Sequence, residues 1–181
     1  MTQDRVEPEV DPVLRAAVRE IEVHVSEDGW DQPPRLYALV PTADLVVREP
    51  ALAAAMGLDE ATATGSLTPV EQDRMPADRS MEQFLRSVMW PAEVSGCAAV
   101  VERVVLPPPA EGDLPEDQQA VEEYAAAHPD REEVRIVAAA TRDGATYCAL
   151  RTRSRDEPRS VVESPDLVPG LLELLRSTLE Q

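Results

Sequence analysis

The dipeptide Asp143-Gly144 is the feature that most constrains the fold of this chain. It lies between two largely apolar runs, 134–141 and 145–153, and Asp-Gly in that setting is the strongest short-range signal for a β-hairpin. Because the two strands of a hairpin run in opposite directions, part of the chain must form an antiparallel sheet.

We expect a two-residue type I′ turn at this dipeptide, since the twist of that turn matches the twist of the strands that it joins. The turn type fixes which residues face each other across the hairpin. The predicted pairs are Val137 with Leu150, Ala139 with Cys148, Ile136 with Arg151 and Val134 with Arg153.

An amphipathic helix is predicted from residue 12 onward. Asp11 offers a side-chain acceptor at the N-cap, and Pro12 suits the first turn, where its missing N–H costs nothing. Apolar residues follow at helical spacing, and Gly29 is placed to end the helix. These apolar residues are Leu14, Val18, Ile21 and Val25.

Further helices and strands follow along the chain. Apolar runs at 36–40 and 97–106 predict strands, the capping-box spacing of 68–71 predicts a helical turn, and Ser164-Pro165 is expected to cap a Leu-rich last helix. The remaining predicted elements are helices over 42–56, broken at Pro50, over 80–90 and over 111–128, and a short strand over 160–163.

This order of elements predicts an α+β fold. We expect a mostly antiparallel sheet of four to five strands packed against several helices, with a C-terminal amphipathic helix. The length of 181 residues suits one globular domain, 1–181. Within it we expect a disordered tail over 1–10, an irregular connection over 57–79 and a Pro-rich linker over 107–115.

A formal net charge of -18 restricts the partners of the protein. Nucleic acid and anionic membranes bind basic surfaces, and no stretch approaches the roughly 20 apolar residues that span a bilayer. The first ten residues contain no apolar run, so no signal peptide is predicted. We therefore expect a cytoplasmic protein that has no nucleic-acid or membrane partner.

The charge is unevenly distributed along the chain. Residues 1–130 hold 9 Arg against 26 acids, whereas residues 131–159 hold 7 Arg against 5 acids. Arg151, Arg153 and Arg155 alternate along one predicted strand, so they are expected to point to one face, where they could form a row that binds an anion or a carboxylate. The alternative is that they pair with the protein's own acids across the sheet.

No motif in the sequence predicts a catalytic residue, a metal or a cofactor. Cys97 and Cys148 lie in apolar strand segments and are expected to be buried thiols. His24 and His128 have no partner at metal-ligand spacing. A nucleophile elbow, a phosphate-binding loop and a dinucleotide-binding motif are all absent from the sequence.

Eight short motifs resemble those of a family of uncharacterised actinobacterial proteins of similar length. They are Trp90-Pro91, Gly96-Cys97-Ala98, Glu102-Arg103, Leu106-Pro107-Pro108, His128-Pro129, Arg142-Asp143-Gly144, Cys148-Ala149-Leu150-Arg151 and Asp166-Leu167-Val168-Pro169-Gly170. The resemblance runs over nearly the whole chain. It implies a single cytoplasmic domain from a bacterium of high GC content, and it carries no activity that could be transferred to these residues.

Two classes of function remain open from the sequence. The first is a non-enzymatic interaction domain, an adaptor similar in outline to secretion chaperones, which binds another protein or forms a homodimer through the C-terminal helix or a sheet edge. The second is a small enzyme or small-molecule-binding protein with a pocket between helices and sheet, lined by Trp30, Trp90, Tyr147 and arginines. Converging polar groups in a deep pocket would favour the second class.

Overall fold

The computed structural model describes residues 9–76, 78–106, 119–120, 123, 127, 129 and 131–180. Most of the predicted tail over 1–10, the linker over 107–115 and most of the helix over 111–128 therefore lie outside the described residues. Within the described part, no helix is long and apolar enough to cross a membrane.

Helices and strands are mixed along the described residues. The helices there are α1 (Pro12–Glu27), α2 (Thr42–Arg48), α3 (Pro50–Ala55), α4 (Glu60–Ala63), α5 (Met81–Leu85) and α6 (Pro169–Leu179). The strands are β1 (Arg35–Pro41), β2 (Leu67–Glu71), β3 (Gly96–Val105), β4 (Glu132–Thr141), β5 (Thr146–Thr152) and β6 (Val162–Ser164), with 3-10 turns at Arg153–Arg155 and Pro158–Ser160.

The strands form one antiparallel sheet in the order β2-β1-β3-β4-β5-β6. This architecture confirms the predicted α+β class, but the sheet has six strands rather than four to five. The unpredicted strand is β2, which occupies one edge and includes Pro69. Proline is tolerated at a sheet edge because its missing N–H need not serve the ladder.

Strand β2 also shows that the helical turn predicted at 68–71 is wrong. The hydroxyl of Thr68 lies 2.8 Å from the hydroxyl of Thr42, at the start of α2, instead of capping a helix. A capping box does form at the start of α5, where Ser80 and Gln83 each accept a hydrogen bond from the backbone N–H of the other. That helix ends at Leu85, earlier than predicted.

Helix α1 covers one face of the sheet, as its sequence predicts. The Asp11 carboxylate accepts the N–H groups of Val13 and Leu14 at 2.9 and 3.2 Å, which satisfies two of the free donors at the helix start. Its apolar stripe is fully buried against the sheet, and each such side chain contributes roughly 1.5–3 kcal/mol to folding.

Helices α5 and α6 cover the opposite face. The apolar residues of α6 are buried against the sheet, so its Leu-rich stripe packs within the chain. The helix begins at Pro169, and the prediction that Ser164-Pro165 caps it is wrong. Ser164 ends β6 instead, and its hydroxyl contacts Asp166 at 3.0 Å.

The predicted hairpin is present, but its turn is a different one. The Thr141 N–H donates to the Ala145 carbonyl at 2.9 Å, and the Gly144 N–H donates to the Thr141 carbonyl at 3.0 Å. Gly144 has a φ of 90°, whereas Asp143 does not have positive φ. These features define a three-residue loop with glycine at the bulge, because a type I′ turn needs positive φ at both central residues.

The longer loop shifts the register of the hairpin by one residue from the prediction. Arg151 lies opposite Arg135, and Leu150 lies opposite Ile136. Because side chains alternate between the two faces of a strand, a shift of one residue changes which partners share a face. Arg151 and Arg135 therefore meet on the face that α1 covers.

Candidate functional site

A row of charged residues crosses three strands on the α1 face of the sheet. Glu102 of β3 lies opposite Arg135 of β4, which lies opposite Arg151 of β5. Both arginines are buried, with 2% and 4% of their surface exposed. Like charges directly opposite each other destabilise a sheet unless acids compensate them. We call Arg135, Arg151 and the residues around them the arginine cluster; its other members are Glu22, Trp30, Arg153 and Asp156.

Arg151 is fully engaged by two acids of the chain. Its Nε and Nη2 donate to the two carboxylate oxygens of Glu22 in α1, at 2.5 and 3.0 Å, and its Nη1 donates to Asp156 at 3.1 Å. The bond to Glu22 raises the pKa of Arg151. Burial acts to raise the pKa of Asp156, but the nearby indole N–H of Trp30 and the guanidinium of Arg151 lower it overall. Arg151 therefore pairs with the protein's own acids, which was the alternative to an anion-binding row.

The expected row of Arg151, Arg153 and Arg155 on one strand face is not formed. Strand β5 ends at Thr152, and the next three residues form a 3-10 turn. Arg153 instead binds the Asp31 carboxylate with both Nη atoms, at 2.9 and 3.1 Å. Its Nη1 also donates to Glu133 at 3.0 Å.

Arg135 of β4 lies below the side chain of Trp30, and Trp30 belongs to the loop after α1. The Cζ atom of Arg135 is 4.7 Å from the centre of the indole ring, and that of Arg153 is 5.7 Å from it. Arg135 Nη1 donates to the Gly29 carbonyl at 3.0 Å. Its Nε and Nη2 are buried and have no hydrogen-bond partner among the described residues. Burial lowers the pKa of Arg135, despite the nearby carboxylate of Glu22.

The loop that carries Trp30 is fixed by side chains from the sheet. The carboxylate of Glu102 accepts the backbone N–H groups of Asp31 and Gln32, at 3.0 and 2.9 Å. Asp31 has a φ of 63°, a left-handed conformation that costs a non-glycine residue about 1–2 kcal/mol. These contacts hold the indole over Arg135.

Trp90 lies on the other face of the sheet, in contact with α6. Its Nε1 donates to the Thr178 hydroxyl at 3.0 Å, and that hydroxyl donates to the Leu175 carbonyl at 2.6 Å. Tyr147 packs on the α1 face, as does the loop of Trp30. The expected pocket lined jointly by Trp30, Trp90 and Tyr147 is therefore not formed.

Both cysteines are free and buried, as their apolar surroundings predict. The thiol of Cys97 lies 3.6 Å from the Leu175 carbonyl and 3.6 Å from the Thr178 hydroxyl. Burial raises the pKa of Cys97 to about 11 and also raises that of Cys148. A thiol with a raised pKa is a poor nucleophile at neutral pH, because the thiolate is the reactive form.

Metal ligation has no support in the part of the chain that the structure describes. No group of three or more His, Cys, Asp or Glu side chains there could hold a metal ion. His24 lies exposed on α1, and His128 lies outside the described residues.

Arg142, in the hairpin loop, binds four backbone carbonyls of two other segments. Its guanidinium donates to Val94 at 2.8 Å, to Trp90 and Pro91 at 3.2 Å each, and to Leu179 at the end of α6. A cation at a helix C-terminus also interacts favourably with the helix dipole and so stabilises the helix. The hairpin loop is therefore fastened to α6.

A cavity of about 510 Å³ lies beside α6 and is called the α6 groove. Its lining residues are Thr146, Asp166, Pro169, Leu172, Glu173, Arg176, Ser177 and Glu180. A second cavity, of about 220 Å³, lies between α1, α3 and the edge of the sheet. This α1–α3 cavity is lined by Glu20, Ile21, His24, Tyr37, Met56, Pro69 and Glu71.

Sequence reasoning missed Glu22, Arg135 and Arg142. A signal for the first two exists in the sequence, since Glu22 adjoins the apolar stripe of α1 and Arg135 interrupts a strand that is otherwise apolar. A charged side chain at a buried position requires a partner of opposite charge. Nothing comparable marks Arg142, because a hairpin loop is normally exposed.

The fold and the arginine cluster define an antiparallel α+β domain with helices on both faces of its sheet and an ion pair buried between α1 and β5. A family model described as PPA1309-like protein matches residues 14–180. The chain therefore belongs to the PPA1309-like family, a family of uncharacterised proteins. No curated protein and no solved structure gives a significant match.

Proposed function

We propose that this protein is a non-enzymatic interaction domain that binds a basic segment of a partner protein in the α6 groove. The observation that carries the proposal is the lining of that groove. Asp166, Glu173 and Glu180 supply three carboxylates against the single guanidinium of Arg176. Lys or Arg side chains of a partner would meet complementary charge there.

Size and apolar content also support a peptide as the ligand. A cavity of about 510 Å³ falls within the roughly 300–1,000 Å³ of clefts that hold a ligand. Pro169 and Leu172 add apolar surface among the charged residues of the lining, and apolar contacts at the centre of an interface supply much of its affinity. The net charge of -18 would attract the same basic segment from a distance.

The groove is a better candidate than either edge of the sheet. Strand β2 includes Pro69, which has no N–H to offer to an added strand. Strand β6 has three residues and is followed directly by Pro165. Short strands and prolines are devices that protect a sheet edge from pairing.

The test is a binding titration with a short fluorescent peptide of alternating Lys and Leu, followed by anisotropy. The double variant Glu173→Lys/Glu180→Lys should weaken binding by about tenfold, because two exposed charge pairs together contribute roughly 1.4 kcal/mol. A peptide of alternating Glu and Leu should not bind.

The matched control is Glu27→Lys/Glu157→Lys, two exposed acids outside the groove. This control changes the net charge by the same amount. If both double variants weaken binding equally, the attraction comes from overall charge and the groove is not the site. If only the groove variant weakens binding, affinity capture from the native host is the next step to identify the partner.

The α1–α3 cavity favours a second candidate function, the binding of a small molecule. It brings Glu20, His24 and Tyr37 together beside the apolar side chains of Ile21 and Met56. Burial raises the pKa of Glu20 and that of Tyr37, which is common at binding sites. A thermal-shift screen against metabolites should raise the melting temperature for a small-molecule binder and leave that of an adaptor unchanged.

We infer further that the protein acts in the cytoplasm and binds neither nucleic acid nor membranes. Its two free thiols and its excess of acids support this assignment. Retention of the protein on a heparin or DNA column at physiological salt would contradict it.

A further inference from the structure

Arg135 carries an unused pair of hydrogen-bond donors in the interior of the protein. With 2% of its surface exposed, its Nε and Nη2 have no acceptor among the described residues. These two atoms form the edge of the guanidinium that binds carboxylates bidentately. In this structure the same edge of Arg151 binds Glu22.

The nearby acids are already committed to other donors. Glu22 and Asp156 bind Arg151, and the two oxygens of Glu102 accept backbone N–H groups of the Trp30 loop. Arg135 is therefore buried in a charged state without a hydrogen-bonded counterion, which destabilises the protein unless an acceptor is supplied.

Trp30 separates Arg135 from a small cavity at the end of the sheet. The indole lies over the guanidinium of Arg135 and also lines a cavity of about 190 Å³. The other lining residues are Asp31, Glu102, Arg103, Val104, Glu133 and Arg153. A movement of the Trp30 side chain would join this cavity to the donors of Arg135.

We propose that Arg135 anchors a binding site for a small aromatic carboxylic acid, and that Trp30 covers this site until the ring of the ligand replaces the indole. The carboxylate binds Nε and Nη2 of Arg135, and the ring lies over the guanidinium face. The carboxylate lies in the plane of the guanidinium and the ring lies above that plane, so one or two methylene groups between them allow both contacts.

The charges around Arg135 limit the ligand to a single negative charge. Arg135 and Arg151 lie near three carboxylates, those of Glu22, Asp156 and Glu102, so this part of the interior already carries more negative than positive charge. A dianion such as phosphate would leave a larger excess of negative charge in the interior, where it is poorly solvated. The site is on the α1 face of the sheet, so it is independent of the α6 groove.

Calorimetric titration of phenylacetate tests the proposal. The Trp30→Ala variant should bind phenylacetate at least tenfold more tightly than the natural chain, because the indole no longer competes for the guanidinium face. Adding Arg135→Gln to that variant should abolish binding, whereas adding Arg155→Gln, an exposed arginine of the 3-10 turn after β5, should not. Phenylacetamide and inorganic phosphate should not bind.

Two results would overturn the proposal. One is a folded Trp30→Ala chain that binds phenylacetate no better than the natural chain, and the other is equal binding of phenylacetamide. If Arg135→Gln fails to fold, the Trp90→Phe chain decides, since Trp30 is then its single tryptophan. Phenylacetate should shift the fluorescence of Trp30 to longer wavelength, and an unchanged spectrum at saturating phenylacetate overturns the proposal.

Discussion

Arg151 and Glu22 show how a charge is accommodated in the interior of this protein. The side chains are 5% and 7% exposed and form a bidentate pair. Removal of one partner leaves the other charge buried and unpaired, which costs about 3–5 kcal/mol. We therefore expect Glu22→Leu and Arg151→Leu each to destabilise the protein by about that amount, as measured by urea unfolding.

The double variant Glu22→Leu/Arg151→Leu should cost much less than the sum of the two single variants, because neither member of the pair is left as an unpaired buried charge. The exposed pair of Arg48 and Glu93 is the control, and its two single variants should leave the urea midpoint nearly unchanged. Additive effects at Glu22 and Arg151 would show that the pair contributes nothing as a pair.

Cys97 makes the stability of the protein decrease with rising pH in the alkaline range. Its pKa is about 11 in the folded chain, against about 8.5 for an unfolded thiol. The folded state therefore binds more protons between these values, so this stabilisation is complete below pH of about 8.5 and is lost as the pH rises toward 11. Urea unfolding between pH of about 8 and 10 should show a falling free energy, with a smaller slope in Cys97→Ser. An identical slope in that variant would contradict the assignment.

At the scale of single elements, Gly96 allows β3 and β4 to approach closely. A Cβ atom at this position would lie 2.6 Å from the Ala140 carbonyl oxygen. Because that oxygen belongs to the backbone of the neighbouring strand, Gly96→Ala should destabilise the protein by about 1–3 kcal/mol. Gly170, in the first turn of α6, has open space around it, so Gly170→Ala should be neutral or stabilise by up to about 1 kcal/mol.

Thermal unfolding of the two alanine variants checks this pair of expectations. A Gly96→Ala chain that melts with the natural protein would mean that the strands move apart at no cost. The Gly170→Ala chain controls for the general effect of replacing a glycine, since the unfolded state changes equally in both.

The elements that the sequence predicts are those whose signals are local. Asp11 and Pro12 identify the start of α1 because capping needs only neighbouring residues. The register of the hairpin was not predictable in this way, since Asp143-Gly144 fits both a two-residue and a three-residue loop. Thr141 makes the difference, because its hydroxyl accepts the Ala145 N–H at 3.2 Å in the longer loop.

The candidate site depends on contacts between distant parts of the chain, which a single sequence does not specify. Glu22 and Arg151 are 129 positions apart. The alternation of Arg151, Arg153 and Arg155 predicted a row only on the assumption that the strand continues past Thr152. It ends there, and Arg153 turns toward Asp31.

At the scale of the whole molecule, electrostatic repulsion opposes the compact fold. The chain holds 35 acids and 17 arginines, and a large net charge destabilises a folded protein through self-repulsion. Salt screens this repulsion, since the Debye length falls from about 30 Å at 0.01 M to about 3 Å at 1 M. The melting temperature should therefore rise as sodium chloride is added.

Differential scanning calorimetry over a series of salt concentrations measures this effect. A melting temperature that falls with salt would indicate that attractive ion pairs outweigh the repulsion. The buried pair of Glu22 and Arg151 should contribute little to the change, because buried pairs are screened much less than exposed ones.

The bonds of Arg142 to the end of α6 have a consequence for how the molecule opens. Helix α6 covers Cys97, whose thiol contacts the backbone of Leu175. A brief detachment of the helix would expose that thiol to any alkylating reagent in solution, while the rest of the sheet stayed paired. Arg142→Ala removes the bond that fastens the C-terminal end of α6 to the hairpin loop. The rate at which Cys97 is labelled in this variant would report how often α6 lifts away from an otherwise intact protein.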